Sequence, residues 1–119
     1  MPPRAPQEKP PRATEPPAEP PEEDETAQPT VYEFNPLQAE SELKVGNFYF
    51  RKGSFRAAAR RFEEATKWNP SFAEAFLRLG EAREKLNDRA GAVAAWTKYL
   101  ELEPNGKAAG AVRKKLKTP

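Results

Sequence analysis

The side chains that could do chemistry in this chain are carboxylates, amines and guanidinium groups: 18 Asp or Glu and 20 Lys or Arg, with neither histidine nor cysteine. Without imidazole or thiol, the usual nucleophile, proton-shuttle and metal-ligand sets cannot be assembled. Disulfides, a lipid-attachment cysteine and thiol redox chemistry are excluded on the same ground. Glu63 and Glu64 are paired acids, but neighbours on one helix turn outward side by side and are expected in solvent. The six glycines are scattered, so no glycine-rich loop cradles a phosphate. Near the C-terminus Lys107, Arg113, Lys114, Lys115 and Lys117 have the charge to touch nucleic acid or an anionic membrane surface. No aromatics interleave with them for base stacking, and cations in a last helical turn are favoured by the macrodipole alone. The sequence therefore predicts no enzyme, no cofactor and no metal, and nucleic acid is not an expected partner.

The elements that carry these residues follow from a repeat. From Ala39 to Pro104 one unit is written twice at an offset of 34 residues: Gly46 recurs as Gly80, Ala58 as Ala92, Phe62 as Trp96 and Pro70 as Pro104. Ala39 with Ala73, Glu40 with Glu74, Leu43 with Leu77 and Val45 with Leu79 keep their character at the same offset. A fixed period of this length marks a helical repeat array. Within the first unit Leu43, Gly46, Tyr49 and Phe50 share one side of a helix, and Phe55, Ala58, Ala59, Phe62 and Ala65 share one side of a second. Gly46 and Ala58 permit the two backbones to approach where they cross, with Tyr49 and Phe62 filling the flanks. Gly80, Ala92 and Trp96 repeat that arrangement. The aromatic stripe of Tyr49, Phe62 and Trp96 is therefore core.

Punctuation gives the helix ends. Asn35, Pro36 and Gln38 supply a cap, a first-turn proline and a reciprocal side chain. Gly53 with Ser54, and Asn87 with Asp88, supply a left-handed residue followed by an N-cap, and Ser71 with Glu74 a capping box. Helices are predicted at about 36–52, 55–68, 72–86 and 89–102. After Pro104, Asn105 is expected to cap a fifth helix from about Lys107 to Lys117, with Ala108, Ala109, Val112 and Leu116 as its apolar stripe and a solvating role at the array's end.

These residues resemble the tetratricopeptide repeat family. The resemblance rests on Val45, Gly46, Tyr49, Ala58, Phe62, Ala65 and Pro70 in the first unit, and on Phe76, Leu79, Gly80, Ala92, Trp96 and Pro104 in the second. Three positions depart from the family's pattern: Glu42 stands where a large apolar residue is common, Arg83 where Tyr is favoured, and Tyr99 where Ala is favoured. The resemblance implies an all-α chain of antiparallel helix-turn-helix repeats of the α-solenoid type, with repeats at 39–72 and 73–106 and a capping helix at 107–119. It also implies a function, the binding of a partner's peptide or helix in a concave groove lined by the first helix of each pair. The groove positions would be Glu40, Leu43, Asn47, Phe50 and Arg51 in the first unit, and Glu74, Leu77, Glu81, Glu84 and Lys85 in the second. Packing between neighbouring pairs is the competing role for Leu43 and Leu77. Members that hold the acidic C-termini of heat-shock chaperones use a Lys and an Asn one turn apart. Asn47 is present but Leu43 replaces the Lys, so that specialisation is not expected. A structural component of a bacterial envelope, similar to the repeat-containing lipoproteins of outer-membrane assembly, is the alternative reading and would need an upstream lipid-attachment signal.

Ahead of the repeats, residues 1–30 hold ten prolines and almost nothing large and apolar. Such a stretch cannot bury enough surface to offset its ordering entropy, so a disordered arm is expected. It carries three Lys or Arg against seven Asp or Glu, whereas residues 31–119 carry 17 against 11. An acidic arm thus precedes a basic domain. It reads as a spacer, or as a ligand for a proline-recognising partner, or as an electrostatic screen for its own domain. Residues 31–38 form an apolar junction and the start of the first helix, in which Tyr32 and Phe34 are expected to cover the outer edge of the first pair; a docking peptide for another protein is the alternative. No apolar run follows Met1 and no window approaches a transmembrane span, so the cytoplasm is expected by default, with the periplasm or envelope if the natural start lies upstream. Two repeats and a cap fall short of the three or more such arrays need, and an uncovered repeat end offers a route to self-association.

Overall fold

The computed structural model describes residues 31–118, and the arm expected at 1–30 lies outside them. Five helices follow in order: α1 (Pro36–Arg51), α2 (Phe55–Trp68), α3 (Ala73–Lys85), α4 (Arg89–Leu102) and α5 (Ala109–Lys117). No strand occurs among the described residues. α1 and α2 form one antiparallel hairpin and α3 and α4 a second, α2 packs on α3, and α5 rests on α4. The described residues are all-α, and their packing is that of a helical repeat.

Each hairpin closes by the same device. After α1 the chain turns at Gly53, where φ is +82°. The Gly53 N–H donates to Phe50 O at 3.0 Å and the Ser54 N–H to Tyr49 O at 2.9 Å. One period later Asn87 has φ of +61°, its N–H donates to Glu84 O at 3.0 Å, and the Asp88 N–H donates to Arg83 O at 2.9 Å. Both are Schellman closures, in which a left-handed residue lets two otherwise orphaned carbonyls find donors. Asp88 then caps α4 by accepting from the Gly91 N–H at 2.9 Å.

Other predicted caps differ. Asn35 caps α1 as expected, its Oδ1 accepting from the Gln38 N–H at 3.0 Å, but Gln38 donates through Nε2 to Glu42 Oε1 instead of reaching back. Ser54 makes no side-chain cap bond. The N-cap of α3 is Phe72, so the Ser71–Glu74 capping box does not form. Asn69 displaces it: its Oδ1 takes the Ser71 N–H at 3.1 Å and fixes the turn one step earlier. At the far end Asn105 does not cap α5, whose N-cap is Ala108. Tyr99 explains the shift. Its hydroxyl accepts from the Ala108 N–H at 3.3 Å and lies so close to Gly106 that a Cβ there would collide with it, which holds residues 106–108 in a turn.

The core follows the predicted stripe. Gly46, Tyr49, Ala58, Phe62, Gly80, Ala92 and Trp96 are all buried, and Phe62, Trp96 and Val112 are the largest fully buried side chains. A Cβ placed on Gly46 would stand 2.5 Å from Phe62 Cε1, and one on Gly80 would strike Trp96 Nε1. The large ring of the second helix thus lies flush on the bare backbone of the first, twice at the repeat's period. Trp96 Nε1 is buried there and finds no hydrogen-bond partner among the described residues.

The departures from the family's pattern are accommodated by polar contacts. Glu42, only 9% exposed, accepts from Gln38 Nε2 at 3.0 Å and pairs with Arg61 Nη1 at 3.2 Å, so two oxygens that would be costly to bury alone are satisfied across α1 and α2. Arg83 pairs with Glu63 at 3.4 Å and donates to Gly91 O at 3.2 Å, bracketing α3 to both α2 and α4. Glu63 and Glu64, expected in solvent, are half-buried and each bonds to another element.

Phe62 already shows that a phenyl ring suits this kind of site against glycine. Trp96→Phe should therefore cost less than Trp96→Ala, for which about 3–5 kcal/mol is expected; urea unfolding followed by circular dichroism measures both. Glycine substitutions should split in sign. Gly80→Ala should destabilise by about 1–3 kcal/mol through overpacking against Trp96. Gly110→Ala on α5, where a Cβ meets nothing within 4 Å, should raise stability by up to about 1 kcal/mol, read as opposite shifts in thermal midpoint.

Candidate functional site: the α1–α3 face and its edges

α1 and α3 each bury one side against their hairpin partner and leave a polar stripe outward: Glu40, Lys44, Asn47 and Arg51 on α1, and Glu74, Leu77, Glu81, Glu84 and Lys85 on α3. Spacings of three and four put each set on one helix face. Arg51, Glu84 and Lys85 are exposed, and Asn47, Phe50, Leu77 and Glu81 are half-buried. Leu43 is 8% exposed and belongs to the main core cluster, so its side chain packs between pairs and offers a ligand little. Leu77 packs against the second cluster, with Trp96 and Val112, and keeps some surface because only the short α5 lies beyond it.

Several of these side chains already hold partners. Glu81 Oε2 pairs with Arg78 Nη1 at 3.2 Å, one turn back on α3. Glu84 Oε1 pairs with Lys115 Nζ of α5 at 2.7 Å. Phe50 meets Phe55 edge to face, with ring centroids 5.1 Å apart, and Lys85 Nζ stands 5.9 Å from the Phe55 centroid. The expected residues therefore divide into two groups. Asn47 and Leu77 line the middle of the face, while Phe50, Arg51, Glu84 and Lys85 gather at the edge where the hairpins turn.

Comparison of equivalent positions exposes a feature that the sequence pattern alone did not reveal. Phe50 and Phe55 correspond to Glu84 and Arg89 one period on. Where the first unit closes its turn edge with two rings, the second has a carboxylate and a guanidinium, and a cleft of about 360 Å³ remains. Its lining includes Ala92 and Trp96, with Glu84, Arg89, Lys115 and Thr118 around them. Arg89 Cζ and Lys115 Nζ lie 5.9 and 5.2 Å from the Trp96 ring centroid, and Arg89 Nη2 also donates to the Lys115 carbonyl at 2.8 Å. The C-terminal end of α5 is thus fastened to the start of α4. The sequence signal was present in the swap of Phe for Arg at offset 34.

At the opposite edge the junction expected to cover the first pair does so in part. The Tyr32 hydroxyl bonds to both oxygens of Glu64, at 2.8 and 2.7 Å. Its ring meets Trp68 edge to face at 4.9 Å, Lys67 Nζ lies 5.4 Å from its centroid, and the Asn35 N–H donates to Trp68 O at 2.9 Å. Phe34, expected to pack with Tyr32, is instead 72% exposed. α1 starts at Pro36, whereas its equivalent α3 starts three residues later in register, so Leu37 stands on an extra first turn and is exposed like Phe34 just before it. No helix of the described residues is long and apolar enough to cross a membrane.

No protein-family model matches the chain, and no curated protein matches it.

Tyr32 should be what holds the junction on α2. Tyr32→Ala should destabilise the domain by about 1–2 kcal/mol through the lost aromatic contact and hydrogen bond, and should red-shift the Trp68 fluorescence in the folded state.

Proposed function

We propose that the chain is a tetratricopeptide-type interaction module, non-catalytic, that binds a peptide or helix of a partner protein along the face made by α1 and α3. The observation that carries this reading is the repeated seating of a large ring on a bare glycine backbone, Phe62 on Gly46 and Trp96 on Gly80. With both hairpins closed in the same way, α1 and α3 present equivalent stripes on one side. Those stripes suit recognition more than reaction. Asn47 can donate to and accept from a peptide backbone, Leu77 offers a small apolar patch, and Arg51, Glu81 and Lys85 add charges of both signs along its length. A segment bound there adds contacts where a further repeat would otherwise supply them, so ligand binding and array stability are linked.

Peptides selected by phage display on the full chain provide a direct test. The peptide selected most strongly should bind at least about tenfold more weakly, a loss of about 1.4 kcal/mol, to chains carrying Asn47→Ala or Lys85→Ala, with Lys98→Ala on α4 unchanged, as measured by fluorescence anisotropy. Selected peptides that lose affinity to Lys98→Ala but not to the α1 and α3 variants would remove this assignment.

A further inference from the structure

The described residues are polarised in charge along the helix axes. Arg51 and Lys52 end α1, Arg56 lies in the first turn of α2, Lys85 ends α3, Arg89 begins α4, and Lys114 lies in the last turn of α5. Contacts tie these ends into one edge. Lys85 reaches over Phe55, Glu84 of α3 pairs with Lys115 of α5, and Arg89 donates to the Lys115 carbonyl. The two carboxylates at this edge are engaged, Glu84 with Lys115 and Asp88 with the Gly91 N–H. Among the described residues no carboxylate pairs with Arg51, Lys52, Arg56 or Lys114.

The helix dipoles sharpen the case. Cations at the ends of α1, α3 and α5 oppose the negative pole of each helix and are favourable there. Arg56 and Arg89 are different, because each stands at a helix N-terminus, where the pole is already positive and an acid would be preferred. Asp88 supplies that acid as the cap of α4, but α2 has neither an acidic cap nor an acid in its first turn. The edge therefore concentrates positive potential against the local preference of α2, and an anionic segment laid on it would relieve it.

We infer that the acidic run Glu22, Glu23, Asp24 and Glu25 of the same chain docks in cis on this basic turn edge. The junction gives the starting point. Asn35 is fixed at Trp68, and Tyr32 lies on Trp68 with its hydroxyl on Glu64, so the described chain begins beside the C-terminal half of α2. Glu64, Arg60 and Arg56 fall at intervals of four on α2 and share one face, so a segment laid along α2 toward the turn edge meets cations. Length permits the contact. From Glu64 back to Ser54 is ten helical residues, about 15 Å, while the seven to ten residues from Tyr32 to the acidic run reach up to about 23–33 Å when extended. Charge agrees, since residues 1–30 carry an excess of four acids and residues 31–119 an excess of six bases. Docked there, the arm neutralises the edge next to Arg51 and Lys85 of the proposed groove. It would compete with acidic ligands and leave neutral ones unaffected.

The chain has no cysteine, so Thr26→Cys carries a single nitroxide on the otherwise unaltered chain. At an ionic strength of about 0.01 M, where the Debye length is about 30 Å, the amides at 51–56 and 85–89 should lose at least half their intensity in proton–nitrogen correlation spectra. The loss should be independent of protein concentration. It should vanish at about 1 M salt, where screening falls to about 3 Å. It should also vanish when Glu22→Gln, Glu23→Gln, Asp24→Asn and Glu25→Gln are combined, and when Arg51, Arg56 and Lys85 are replaced together by Gln. Intact intensities at the edge would overturn the proposal. So would broadening that grows with concentration, which assigns the contact to a second copy, or broadening centred on Asn47 and Leu77, which assigns the arm to the groove.

Discussion

The structure depends on a contact in which a helix with no side chain at one position receives a large ring from its partner. Gly46 and Gly80 provide the bare backbone, and Phe62 and Trp96 provide the rings. A glycine in a helix interior costs roughly 0.5–1 kcal/mol relative to alanine, and burying a large aromatic side chain returns several times that. The same contact sets the distance and rotation between the two helices of each hairpin, and hence which residues of α1 and α3 turn inward. The polar stripe of Asn47, Arg51, Glu81 and Lys85 is outward as a consequence of the seat.

The two hairpins share this seat but differ at the turn edge, and that difference is where the molecule becomes particular. In the first, Phe50 and Phe55 close the edge with an edge-to-face pair. In the second, Glu84 and Arg89 stand at those positions, and both turn to α5, one through a salt bridge with Lys115 and the other through a backbone carbonyl. A short terminal helix with an apolar stripe of only Ala108, Ala109, Val112 and Leu116 has little area to bury. Polar fastening at its far end compensates for what its stripe lacks.

How much of this could be read from the chain depended on whether a residue's role was local or comparative. The period, the four repeat helices and the buried set were legible because each rests on spacing within one unit. Gly53 and Asn87 marked their turns correctly because a left-handed residue after a helix has few other uses. Ser71 and Asn105 misled because several residues near a helix end can satisfy the same donors, and tertiary context chooses among them: Asn69 took the N–H that would have gone to Ser71, and Tyr99 held the turn that displaced Asn105. Leu43 was ambiguous between groove and core because both roles ask for a large aliphatic side chain on the same helix; only the position of α3 decides between them. One echo precedes the first unit. Phe34, Asn35 and Pro36 stand at the same offset before Trp68, Asn69 and Pro70 as those do before Leu102, Glu103 and Pro104, so the junction is written as the tail of a unit.

That echo has a physical meaning for the first hairpin. The tail of a unit ordinarily leads out of one pair and into the next, lying across the end of the helix it has just left. Here the tail has no described helix of its own before it, yet it still lies across a helix end, that of α2 from its own hairpin. Asn35 bonds to the last carbonyl of α2, and Tyr32 bonds to Glu64 one turn earlier. A carbonyl at a helix C-terminus is unsatisfied within the helix, and a tyrosine with both a ring contact and a hydroxyl bond is anchored at its apolar and polar ends alike. The segment is thus held by groups that the end of any such helix leaves open. Val31, Phe34 and Leu37 remain exposed beside it, because the strap satisfies the polar end of α2 but is too short to cover the apolar flank that α1's extra turn creates.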